Sequence, residues 1–158
     1  MAGLILKLNL DEMNYAKLTN KILEICINQQ GVNYAGYGNI YSFNLETVND
    51  YPVIWLYTPS GMTINSNRIT AHYYLVYMDR LTNRVDDNNV ENLLIENAAQ
   101  KILFNIVNKI NAIDGVEVEN ENIEFSIFEG LTEKSDSVHG GFITIDVSFE
   151  NENSCIVE

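Results

Sequence analysis

The chain has 158 residues, 46% hydrophobic and 20% charged, and carries a formal net charge of -13. A domain of that length, here 1–158, buries roughly 70% of the surface its unfolded form would expose, so it builds a core without disulfides or a metal. The charge argues against a tight, salt-dependent grip on nucleic acid, and no run approaches the roughly 18 uncharged apolar residues of a membrane-spanning helix.

In chain order, "MAGLILKLNL" has its only lysine after the apolar run and no small-residue cleavage site. It reads as an arm or edge strand over 1–8 and not as a signal peptide. Residues 9–30 read as a helix, with Asn9 as cap and Glu12 completing a capping box. Tyr15, Leu18, Ile22 and Ile25 form its apolar stripe, and Gly31 stops it. "GVNYAGYGN" is neither helix nor core strand. Three strands are expected next: "NIYSFNL", the weakest, then "YPVIWLYTP" and "NRITAHYYLVYMD". The last two form an antiparallel pair.

"YMDRLTNRVDDNN" crowds two arginines and three aspartates between two buried elements. A second helix then runs from Asn88, with Glu91 third, to Gly115. Val90, Leu94, Ala98, Ile102, Ile106 and Ile110 make one row, widened by Leu93, Leu103 and Ile113. "VEVE", "IEFSIFE" and "FITIDVSFE" alternate as strands, with "GLTEKSDSVHGG" as a polar loop between the last two and a polar tail over 150–158. The pattern predicts an α+β domain: a mostly antiparallel sheet of four to five strands with both helices on one face.

Little in the sequence carries chemistry. There is no GxSxG nucleophile turn, P-loop, GxGxxG, HExxH or CxxC. Cys26 sits in a helical apolar pattern and Cys155 in the tail, so no disulfide is expected and reducing cytoplasm fits. His72 reads as a half-buried, hydrogen-bonded strand residue, and His139 as a turn residue beside flexible glycines. Asp86, Asp87, Asn88 and Asn89 lack EF-hand spacing and read as helix capping. The aromatics near Arg68 and Arg80 suit core and subunit contacts better than base stacking. Residues 116–158 hold one lysine against eleven carboxylates. No catalytic residue, metal or cofactor is expected.

"YPVIWLYTP", "HYYLVYMDRL", "NNVENLLIENAAQKILFNIVNKI" and "FSIFEGLTEKSDSVHGGFITIDVSF" resemble small neck or tail-completion proteins of tailed bacteriophages of Bacteroides, crAss-like phages among them. The resemblance covers roughly residues 35–155, and the element order is similar to that of tail terminator proteins. It implies a tail terminator-like fold and a non-enzymatic virion protein made in the host cytoplasm. Copies on the order of six to twelve would close a ring between portal or adaptor and tail. Asp79, Arg80, Arg84, Asp86 and Asp87 on one loop, and Glu133, Lys134 and Asp136 on another, would then set register between subunits. Glu117, Glu119, Glu121, Glu150 and Glu152 would line the channel, so that genomic DNA passes without specific binding. The rival readings are a small cytoplasmic enzyme or ligand-binding domain with an open pocket near Trp55 and Tyr57, and an adaptor working as monomer or dimer.

Overall fold

Asn14 opens the first helix. Its backbone is extended (φ -136°, ψ 170°) and its side chain accepts from the Lys17 amide at 2.8 Å, one of the donors a helix start leaves unmatched. The computed structural model describes residues 13–39, 43, 50–65, 67–82, 89–131 and 137–150. Helix α1, Tyr15–Ile27, therefore starts later than an Asn9 cap implies, and Asn9 and Glu12 lie outside the described residues. Leu18, Ile22 and Cys26 are fully buried on its inner stripe. Burial pushes the Cys26 thiol up to about 12, so it packs as a small apolar group.

The strands are β1 (Tyr34–Tyr37), β2 (Val53–Tyr57), β3 (Met62–Ile64), β4 (Arg68–Arg80), β5 (Val116–Val118), β6 (Ser126–Leu131) and β7 (Ser137–Glu150). Helix α2, Asn89–Asn111, lies between β4 and β5. The sheet runs β1-β2-β4-β7-β5, with β3 also on β4 and β6 also on β7. Among the described residues only β1 and β2 pair parallel; the other pairings are antiparallel. β4 and β7 are matched over thirteen pairs, from Arg68↔Glu150 to Arg80↔Val138. This is the expected α+β class with more strands. The additional ones are three or four residues long, too short to show alternation. β1 comes from "NYAGYG", which does extend, but at the sheet's edge. Of "NIYSFNL" only Asn39 and Phe43 are described, and the Phe43 backbone is helical.

Both helices cover the same sheet face. Leu18, Ile22 and Cys26 from α1 and Ile95, Ala99, Leu103, Ile106 and Ile110 from α2 join Ile54, Leu56, Leu75, Ile143, Ile145 and Val147 in the main core. Tyr73 is fully buried there, and its hydroxyl, 2.9 Å from Thr19 Oγ1, donates to it, because that oxygen already donates to the Tyr15 carbonyl. The opposite face carries a second cluster of Val53, Trp55, Val76, Met78 and Val138, with Phe43 packed on Trp55.

"VHGG" is not loop. Val138, His139, Gly140 and Gly141 are buried within β7. The two glycines serve close approach: a Cβ on Gly140 would lie 1.9 Å from the Tyr77 carbonyl oxygen, and one on Gly141 2.2 Å from the Phe125 ring. The buried row of α2 is also rotated from expectation. Ile95, Ala99, Leu103, Ile106, Val107 and Ile110 face the sheet, whereas Val90, Leu93 and Leu94 face out.

Candidate subunit interface and acidic end

The β4–β7 pair places the described candidates Asp79 and Arg80 at one end and Glu150 at the other, roughly 40 Å apart at about 3.3 Å per residue. At one end β4 finishes with Asp79 and Arg80. Asp79 Oδ1 accepts from the Arg80 amide at 2.8 Å, and Arg80 is exposed. The chain leaving β4 is tied down at once: the Thr82 amide and hydroxyl both donate to Glu91 Oε1, at 2.8 and 2.9 Å. Arg84, Asp86, Asp87, Glu133, Lys134 and Asp136 lie outside the described residues.

His139 sits beneath this end. It pairs with Asp79 across the β4–β7 ladder, is 1% exposed, and points its ring between two carboxylates. Nε2 is 2.9 Å from Glu96 Oε1 on α2, and Nδ1 is 3.3 Å from Glu129 Oε1 on β6. It is therefore a buried clasp joining helix to sheet, where the sequence suggests a turn residue. The adjacent glycines create that impression, because their packing role depends on long-range contacts.

Burial holds the Asp79 carboxyl above its usual range, with repulsion from Glu91 adding and the Arg80 amide partly opposing. An acid raised in the folded state supplies stability that is complete below its unfolded pKa of about 3.9 and lost as pH rises through the folded value. Asp79→Asn keeps the acceptor oxygen and removes the charge. It is expected to raise Tm by about 2 °C at pH 7 and to change nothing near pH 3. An equal shift at both pH values would exclude the charge as the cause.

The patch beside this end was not legible as a surface. Val90, Leu93 and Leu94 are 64%, 62% and 64% exposed on the first turns of α2. Three large apolar side chains at adjoining helical positions form a contiguous strip, and such strips mark contact sites more reliably than single exposed residues do.

At the other end the carboxylates gather around one cation. Arg68 Nη2 is 3.5 Å from Glu117 Oε2, Arg68 Nε is 3.8 Å from Glu119 Oε1, and Glu150 is its cross-strand neighbour. Arg68 also donates to Ser148 Oγ, whose hydroxyl donates to Glu119. Glu121 is exposed on the β5–β6 connection, and Glu152 lies outside the described residues. The surface here is acidic but cross-braced.

His72 is half-buried and hydrogen-bonded, as its strand position implies. Asp146 Oδ1 is 2.6 Å from Nδ1, and Thr63 Oγ1 is 2.9 Å from Nε2. That connectivity matches a hydroxyl–imidazole–carboxylate triad. The Thr63 amide, however, belongs to the β3–β4 ladder, so it cannot supply the neighbouring N–H an oxyanion needs. Its partners were invisible in the sequence because only strand register brings Thr63 and Asp146 to His72. At the alternative position, the Trp55 ring is fully buried and Nε1 donates to the Gly38 carbonyl at 3.0 Å, while Tyr57 packs on Tyr74. Among the described residues, no three His, Cys, Asp or Glu side chains gather to hold a metal, and no helix is long and apolar enough to cross a membrane. No family model matches the sequence, and no curated protein does.

Proposed function

We propose that the protein is a structural subunit of a phage neck. Copies of it close into a ring that joins portal or adaptor to tail around the DNA channel, without catalysis. The observation that carries this is the outward strip Val90, Leu93 and Leu94 beside Asp79 and Arg80, an apolar patch rimmed by charge. A soluble chain leaves such a strip uncovered at a cost in solubility, and a partner surface removes that cost. A ring contact is heterologous, so the strip meets a different surface on the next copy and the rotation must close. The acidic end, about 40 Å away along β4–β7, suits a lumen through which genome moves without adhering, because like charge gives it no counterion-release affinity.

Light scattering after size exclusion, followed by negative-stain imaging, tests the reading: closed rings are expected, alone or on the portal. A strict monomer at high concentration that also ignores the portal would refute it. Charge reversal at both Arg80 and Arg84 is expected to block assembly and leave Tm nearly unchanged, since Arg80 is exposed and charges in such positions contribute little to stability. Unimpaired ring formation in that double variant would remove the loop from the interface.

A further inference from the structure

We propose that the groove between α1 and the end of α2 docks an acidic, aliphatic segment of a protein partner. Helical spacing builds its walls. Lys21, Glu24, Ile25 and Asn28 recur at three- and four-residue intervals and so share one side of α1, while Lys109 and Ile113 stand one turn apart on the other wall. The space they line is about 390 Å³, within the roughly 300–1,000 Å³ of ligand pockets and sufficient for the side chains of a short peptide. Beside it the helices are clamped together. Asn105 Nδ2 on α2 donates to Gln29 Oε1 at 2.6 Å, and Gln29 Nε2 donates to the Ile25 carbonyl at 2.9 Å. Gln29 is buried. The clamp sets the width of the groove before anything enters it, which lowers the ordering cost of docking.

Charge selects the partner. The chain carries 9 basic residues against 22 acidic ones, and the helix layer is where that balance reverses. α1 holds Lys17 and Lys21 against Glu24, and residues 97–111 of α2 hold Lys101 and Lys109 with no carboxylate. The helix dipole accounts for Lys109 in the last turn of α2, but Lys21 sits in the middle of α1, where that benefit has faded. Two ammonium groups beside Ile25 and Ile113 suit a carboxylate carried next to an aliphatic side chain. Glu24 then accepts from a peptide amide and Asn28 donates to a peptide carbonyl. Nucleic acid fits less well, because it brings no aliphatic group and the charge of the whole chain repels a polyanion. The groove also stands apart from the strip at Val90, Leu93 and Leu94. Nineteen residues of helix, about 30 Å, separate Val90 from Lys109, so the two contacts can fail separately.

Fluorescence anisotropy of a dye-labelled peptide, acetyl-Gly-Glu-Ile-Glu-Leu-Gly, titrated with the full chain tests this. Saturable binding is expected, weakened by about tenfold or more in the Lys21→Gln, Lys109→Gln double variant, because each lysine lost removes a charge-assisted hydrogen bond. Lys21→Arg, Lys109→Arg should keep the affinity, and so should Lys101→Gln, which removes the same charge outside the groove. High salt should weaken binding in the parent. Equal binding of the peptide with glutamine in place of glutamate would overturn the proposal, as would binding that survives the double variant or no binding at millimolar protein. Displacement of the peptide by inorganic phosphate at equal concentration would assign the groove to small anions and overturn it too. Self-assembly lost in the Lys21→Gln, Lys109→Gln variant, read by light scattering, would give the groove to a second copy and overturn it equally.

Discussion

A Leu93→Asp, Leu94→Asp double variant is expected to stay monomeric at concentrations where the parent assembles, while melting within about 2 °C of it. The two side chains touch little of their own molecule, so replacing them falls in the class of surface changes worth about 0.5 kcal/mol or less each. Aspartate near a helix start also interacts favourably with the helix dipole. In an interface the balance reverses. Each leucine loses about 1.5–3 kcal/mol of burial and each carboxylate adds a desolvation cost, so association weakens by two orders of magnitude or more. Analytical ultracentrifugation measures the first effect and calorimetry the second. A variant that assembles like the parent would remove the strip from the self-contact, and one that melts far lower would show that the strip belongs to the fold.

Trp55→Ala is expected to be the most damaging single truncation, at about 3–5 kcal/mol out of a total stability of order 5–15 kcal/mol. The indole is fully buried, meets Phe43 edge-on at 5.3 Å between ring centres, and donates to the Gly38 carbonyl. Its ring also lies where a Gly36 side chain would be, 2.2 Å from a Cβ built there. Gly36→Ala should therefore harm the parent yet cost little more in the Trp55→Ala background, a coupling that a double-mutant cycle reads directly. Urea unfolding should be followed by far-UV circular dichroism, because the chain has no other tryptophan. A loss below about 1 kcal/mol would mean the second cluster collapses without cost.

The long elements were legible because their patterns are long. β4 and the second half of β7 alternate over enough residues to show which face is inward, and α2 has capping and stop signals at both ends. Failures came where a residue's role depends on a distant partner. "HGG" reads as a loop until Tyr77 and Phe125 are seen to leave no room for a Cβ. The α2 row failed for a related reason: 3.6-residue periodicity fits Val90 and Leu94 as well as Ile95 and Ala99, and only the sheet beneath decides which row is covered. For the candidate site, charge composition pointed to an acidic end but could not show Arg68 bracing it. The apolar strip carried no signal of exposure at all.

The thirteen pairs joining β4 to β7 link residues 58 to 82 positions apart in the chain. During translation at about 5–20 residues per second, β4 leaves the ribosome roughly 3 to 16 seconds before its partner exists. A thirteen-residue strand apolar on both sides of its middle must wait unpaired for that interval. Closing so large a loop is intrinsically slow, so a chaperone that shields β4 should govern how much protein is recovered from cells.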